Sequence, residues 1–358
     1  MKKINIIKNI VLTSLFIFSF GGEVCAQQKS LNSNSLEVVV EMNVRPGNVA
    51  VSNKGTIYAT IHPLGNPSLQ LVTVKDSKTI EAFPNKSWQR ENGTSATETS
   101  FDTPLGVTTD ENGNLWVIDM GLNIGSTRLF CFDAVTKETI FALTLPQEVA
   151  PKGSFVQDLA VDLKNGFVYL ADIENPGLIV VNTKSKASRR LKQHDSFLSE
   201  NIDTVIDSKI IYFGGKPSRV AIDPITISDD KETVFYGAMN GKAWYSISAK
   251  AIRAGLSDAA ILETIVKVGE KPISDGAVTD QDGHHYFTNL NDKGIDQWNA
   301  STKTLKPIIR DERLLWPDNI SIQNGYIYIA VNQLHKTTAF TGTKDLGTPP
   351  YYIYRLKK

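Results

Sequence analysis

Cysteine is nearly absent: the 358 residues hold two, Cys25 and Cys131. That excludes a disulfide framework. Cys131 lies in the apolar run Leu129-Phe130-Cys131-Phe132, which reads as a strand with a buried structural thiol. Beyond the first thirty residues, no apolar run approaches the roughly 20 residues that a membrane helix needs. Charge of one sign is not in excess either, with 38 basic and 38 acidic residues. Zero net charge removes the electrostatic case for a nucleic acid or an anionic membrane surface as partner. There is no nucleophile elbow, no phosphate loop and no helical His pair with an intervening Glu. His284 and His285 lack further ligands at fixed spacing, so a zinc site is not expected.

What is present begins with a leader. Met1-Lys2-Lys3 and Lys8 give a positive start, Ile10 to Phe20 is apolar, and Val24-Cys25-Ala26 places small residues before a cleavage point. This is the layout of a secretory signal. Residues 1–26 are expected to be removed and the remainder exported, to the periplasm or beyond. The competing reading, a lipoprotein with Cys25 acylated, is disfavoured by Glu23, where small or apolar residues are expected.

Along residues 27–358 a hairpin recurs. Each unit has a short apolar alternation, a turn rich in Asp, Asn or Gly, and a second alternation rich in aromatics. Val107–Asp110, Glu111–Asn114 and Leu115–Ile118 form one example; Leu159–Asp162, Lys164–Gly166 and Phe167–Leu170 form another. First strands open at Val49, Val107, Leu159, Val220, Ala277 and Ile320, at intervals of 58, 52, 61, 57 and 43 residues. Such spacing, with more strand after each hairpin, suits four-stranded blades around an axis. The expected fold is therefore all-β: a single six-bladed β-propeller domain. Its N-terminal strand, Leu36–Glu41, would close the last blade beside Tyr351–Leu356 and hide both edges. A helical interruption is expected over Ser248–Val266, and a long polar surface loop over Asn85–Thr103.

Reading the hairpins in register gives a ring of polar residues. Asn48, Gly106, Asp158, Arg219, Asp275-Gly276 and Asp318-Asn319 precede the first strands. His62, Asp119, Asp172, Asn240, Asn289 and Asn332 follow the second strands. Carboxylate and amide oxygens converging on one axis suit a hard cation, such as one Ca²⁺ or another divalent ion, and a carboxylate there can act as a base. For any single member, the competing role is turn capping. The tryptophans read as blade-packing residues, with Trp316 the best exception.

Five segments in order resemble the major royal jelly/yellow protein family. They are Phe101–Gly121 (FDTPLGVTTDENGNLWVIDMG), Gly177–Val181, Ser274–Ala277, Ile295–Asn299 and Leu315–Asp318. The resemblance implies a secreted six-bladed propeller, related in fold to the gluconolactonase/senescence-marker propellers. Those hold a divalent cation and open lactones, whereas yellow-type members are associated with dopachrome conversion and binding of small amines. Asp275 stands where the lactonases place their catalytic and metal-binding Asp. Their first-blade Glu has no counterpart near Arg45–Asn48, and their fourth-blade Asn falls at Ser218, beside Arg219.

Three functions follow. The first is binding, with isomerisation as its enzymatic extension, of an amine, catechol or carboxylate at the channel mouth by a monomer. Its ligand contacts would be Asp158, Arg219, Asp318, Trp316, Asp119, Asp172 and Asn289. The second is a metal-dependent lactonase with Asp275 as base and Asp275, Asp158 and Asn48 as ion ligands. The third is a non-enzymatic interaction module using loops such as Asn85–Thr103.

Overall fold

The computed structural model describes residues 35–65, 67–90 and 94–358. The expected signal segment lies outside the described residues. Six four-stranded antiparallel sheets follow one another along the chain. Their innermost strands are Pro46–Val51, Pro104–Thr109, Val156–Asp162, Ile222–Ile227, Ala277–Thr279 and Pro317–Gln323. Each packs against the next, and the last against the first, so the sheets are blades around an axis. The sixth sheet runs in the order Pro317–Gln323, Tyr326–Val331, Tyr351–Lys357, Glu37–Met42. The N-terminal strand thus closes the ring, with Glu41 opposite Tyr352 and Met42 opposite Tyr351.

The alternation seen in the sequence explains the core. The inner strands of each blade lie between two neighbouring blades, so side chains on both faces are buried, and one apolar cluster forms at every blade junction. Trp116, Leu129 and Cys131 meet Val168 and Leu170 between blades 2 and 3. Trp244 meets Phe287 and Trp298 between blades 4 and 5. Val40, Met42 and Ile353 meet Val49 and Ile61 across the closure. Near the axis the blades nearly touch. A Cβ added at Gly106 would lie 1.9 Å from the Gln157 carbonyl oxygen, and one at Gly276 would lie 2.7 Å from that of Asp318. No side chain fits at either point.

Three details depart from the sequence expectations. The helical stretch is two short helices, Ala249–Arg253 and Asp258–Leu262, capped by Ser248 and Ser257 and separated at Gly255 with φ 71°. The segment Asn85–Thr103 is not wholly a surface loop. Trp88 and Phe101 turn inward and pack on Phe130 and Phe132, with Trp88 edge-on to Phe132 at 5.0 Å. The fourth blade's innermost strand begins at Ile222 rather than Val220.

Closure by the N-terminal strand makes a paired prediction. Val40 is fully buried in the closing strand, whereas Val38 is half exposed. Val40→Asp buries an unpaired carboxylate and is expected to cost more than about 3 kcal/mol in denaturant unfolding. Val38→Asp on the same strand is expected to change stability by less than about 1 kcal/mol.

Candidate functional site

Five of the six innermost strands slip register near their start: between Pro46 and Val49, Pro104 and Val107, Val156 and Asp158, Ile222 and Ile225, and Pro317 and Ile320. A bulge breaks the two-residue alternation and re-aims side chains. The residues at these slips include Asn48, Gln157, Asp223, Asp318 and Asn319. They converge on the axis with Asp275 of the fifth blade, as their mutual hydrogen bonds and charge interactions record.

Gln157 Nε2 donates to Asp223 Oδ1 at 2.6 Å and to Asp275 Oδ1 at 3.1 Å. Trp316 Nε1 donates to Asp275 Oδ2 at 2.7 Å. Asn48 Nδ2 donates to Asp158 Oδ1 at 3.0 Å, and Asn332 Nδ2 donates to Asp318 Oδ2 at 2.6 Å. All four carboxyl groups are buried. Burial is the largest influence on each and raises its pKa. Repulsion from Asp275 adds to the rise at Asp158, Asp223 and Asp318. Asp275 itself is pushed up to about 6 by burial, opposed by hydrogen bonds from Asp223, Trp316 and Gln157 and by the charge of Lys271. Asp223 and Asp275 act on each other electrostatically, so the two carboxyls titrate as an interacting pair, with Asp223 the more strongly driven to its protonated form. Lys271, also buried, donates to the carbonyls of Gly241 (2.9 Å) and Pro272 (3.0 Å), and burial lowers its pKa to about 7.

This cluster divides the channel. On the face where the innermost strands begin lies a cavity of about 330 Å³. Its floor is Gln157, Asp223 and Asp275, and its walls include Phe155, Phe213, Val220, Trp316, Leu334 and Phe340. On the opposite face a cavity of about 430 Å³ is lined chiefly by innermost-strand residues, with hairpin-turn residues at its edge, and reaches Asp158. Trp316 is held in the upper wall with φ 61°, a backbone region that a bulky residue rarely adopts. His335 stacks on it at 5.6 Å, and Phe340 meets it edge-on at 5.3 Å. His62 and His335 are held neutral, chiefly by burial, with pKa values near 3 and 4.

Of the ring residues read from the sequence, the structure gathers Asn48, Asp158, Asp275 and Asp318 at the axis, and Trp316 stands beside Asp275. Arg219 borders the upper cavity but belongs to its rim. It pairs with Asp203 at 2.6 Å and bonds Asn201 at 3.0 Å. Asp119, Asp172 and Asn289 stand elsewhere, as clamps within blades. Asp119 accepts from the Asp102 and Thr103 amides and pairs with Arg128. Asp172 accepts from the Phe155 amide and pairs with Arg190. Asn289 donates to Asp296, which pairs with Arg310. These three hold turns and adjacent strands, and neither channel cavity includes them. Gln157 and Asp223 were missed. Their signal is the shifted strand: taking Ile222 as its first residue moves Asp223 into the axial position and leaves Arg219 at the rim.

Among the described residues, no group of three or more His, Cys, Asp or Glu side chains is arranged to hold a metal ion. The hydrogen bonds say why. Asp275 gives both oxygens to donors, and Asp158 and Asp318 each give one. Asn48 Oδ1 and Asp223 Oδ2 remain as buried oxygens without a partner. With the second oxygens of Asp158 and Asp318, four side-chain oxygens are free of donors, fewer than the roughly six that Ca²⁺ takes. Burial raises the pKa of all four carboxyls, which favours their protonated forms.

The propeller fold agrees with the comparisons with known proteins. The family model "Major royal jelly protein" matches residues 103–346. The chain belongs to that family. Protein yellow of Drosophila melanogaster is 25% identical over 239 residues, covering 62% of this chain and 44% of the relative. That of Drosophila guanche is 24% identical over the same length, covering 62% and 42%. The chain spans less than half the length of these relatives. Among solved structures, a gluconolactonase from Xanthomonas campestris aligns with a TM-score of 0.55 at 11% identity, covering 90% of this chain and 89% of its own. A virginiamycin B lyase from Staphylococcus aureus gives 0.53 at 14% identity, covering 90% and 98%. At such identity these two show the fold alone.

The buried carboxyls carry a stability prediction. In the unfolded chain Asp223 titrates near pH 4, whereas folding raises its pKa. Its destabilising effect is therefore absent at low pH and grows as pH rises above about 4. Asn at this position can still accept from Gln157 and can donate to Asp275. Asp223→Asn should raise Tm by about 2–4 °C at mildly alkaline pH, with the gain shrinking towards pH 4. Thermal scans across that range check it.

Proposed function

We propose that this family member binds a small aromatic amine at the upper mouth of its channel. The observation that carries the reading is the pairing of an aromatic, apolar wall with a buried carboxyl floor, Asp275 and Asp223, in a cavity of about 330 Å³. Aromatic walls favour a ring by stacking and by removing apolar surface from water. A protonated amine placed against the Asp223–Asp275 pair would favour their ionised forms and form a desolvated ion pair. Of the amine, catechol and carboxylate classes, the carboxylate has the least support, because Arg219 is already paired with Asp203. Asp275, poised near neutral pH, can also accept a proton from a bound catechol-type ring. Isomerisation of such a ligand is thus the enzymatic extension of the same site. Export to the periplasm or beyond accords with a ligand met outside the cytoplasm.

Titration calorimetry with tyramine tests the binding. Asp275→Asn is expected to weaken it at least about tenfold, or about 1.4 kcal/mol. Affinity should rise with pH through about 6, because the Asp275 carboxylate forms there while the amine stays protonated. A pH-independent affinity, or equal binding of phenylpropionate, would count against the reading.

A second reading, the divalent-metal-dependent lactonase with Asp275 as base, draws on Asn48 Oδ1 and Asp223 Oδ2, the buried oxygens without partners. It requires Asp275 to give up a donor, since both its oxygens are taken, whereas Asp158 keeps one oxygen free. Metal analysis of the purified protein decides: the amine reading expects no stoichiometric divalent ion. About one equivalent, lost in Asp275→Ala, would replace that reading with the lactonase.

A further inference from the structure

Between blades 3 and 4 the chain inserts two small hairpins, Val205–Ile206 with Lys209–Ile210 and Tyr212–Phe213 with Lys216–Pro217. They rise beside the upper mouth, and Phe213 and Pro217 line it. The base of the insertion is fixed. The Ile211 amide donates to Thr204 O and the Ser218 amide to Ile211 O, both at 2.9 Å. Ile206 and Ile211 enter the apolar cluster under the mouth, and Lys293 ties Asp207 to Glu312. The outer part is the reverse. All residues from Tyr212 to Pro217 are exposed, and a Cβ on Gly214 or Gly215 would meet nothing within 4 Å. Ile210, Tyr212 and Phe213 are 42–45% exposed. The insertion of the sixth blade stands against it, with Phe340 edge-on to Phe213 at 5.1 Å, and carries Leu346, 51% exposed.

Exposed aliphatic and aromatic side chains grouped on a projection with a fixed base are unusual on a surface in water alone. Their companions are cationic. Lys209 and Lys216 flank the aromatic tip and Lys344 stands on the adjoining insertion, and none of the three enters an ion pair among the described residues. The acidic residues on these insertions are already matched, Asp207 by Lys293 and Asp345 by Arg45. Zero net charge over the whole chain conceals this local excess. Tyr and Phe at the headgroup level with lysines alongside is the chemistry of an interfacial membrane contact.

We infer that this projection docks the protein peripherally on an anionic lipid surface, with the upper channel mouth turned towards the bilayer. Docking does not depend on what the channel binds. The anchoring is shallow, through side chains at a hairpin tip, and needs no spanning segment. Because the hairpins are preformed, little ordering is required on contact.

Sedimentation with vesicles of phosphatidylglycerol mixed with phosphatidylcholine tests this, against vesicles of phosphatidylcholine alone. Binding is expected to the mixed vesicles only and should fall as salt rises. The double variant Ile210→Ser/Tyr212→Ser, at exposed positions that do not line the channel cavity, is expected to bind about tenfold more weakly. Lys209→Glu/Lys216→Glu should abolish binding. Circular dichroism and Tm matching the parent protein show that each variant is folded. Binding to neither vesicle overturns the inference, as does retention of full binding by both variants. Equal binding of soluble dextran sulfate, unaffected by the Ile210/Tyr212 change, also overturns it and points to an anionic polysaccharide.

Discussion

Four carboxyl groups share the axis of this molecule, and four buried negative charges cannot coexist there without compensation. Asp158, Asp223, Asp275 and Asp318 come from four different blades and are each nearly inaccessible to water. Transfer of an ionised carboxylate from water is among the largest costs a fold can carry, and the usual outcome is neutralisation by a proton. The other axial features follow from that limit. Gln157, Trp316, Asn48 and Asn332 spend their N–H groups on carboxyl oxygens, burial and mutual repulsion drive Asp223 towards its protonated form, and Lys271 is buried nearby. Such a site can exchange a proton for a cation, and an organic ammonium beneath the aromatic walls is the cation proposed for the upper cavity.

The ring of blades makes this concentration possible. A propeller brings every innermost strand to the axis, and bulges at the start of five of them aim polar side chains inward where strict alternation would have sent them into a blade junction. Apolar clusters at the junctions offset the cost of the axial cluster, with Trp, Phe and Tyr prominent between blades 1 and 2 and between blades 4 and 5. Trp316 joins the two systems. Its ring belongs to the apolar cluster under the mouth, its N–H binds Asp275, and its left-handed backbone turns it to do both.

Much of this was legible in the sequence. The hairpin repeat gave six blades because each unit carries its own turn chemistry, and the closing strand followed from the need to hide two edges. Asn48, Asp158, Asp275 and Asp318 were found because they recur at one place in that repeat. Asp223 and Gln157 were not, since a bulge shifts a side chain by one position without altering composition. Asp119, Asp172 and Asn289 were placed in the ring because a carboxylate that clamps a turn looks the same in sequence as one that faces a ligand. The partner decides the role, and Arg128, Arg190 and Asp296 lie 9, 18 and 7 residues away, beyond any local pattern. Likewise the cationic, aromatic tip at 209–217 vanished into a net charge of zero.

The central claim is that the axis holds protonated carboxyl groups at neutral pH. Infrared spectroscopy of the purified protein tests it most directly, through the C=O stretch that only a protonated carboxyl shows. The band should be present at neutral pH, diminish in Asp223→Asn and in Asp318→Asn, and weaken again when an aromatic amine is added. Absence of the band at neutral pH would mean that the cluster is fully ionised, which contradicts the account and requires a bound inorganic cation in its place.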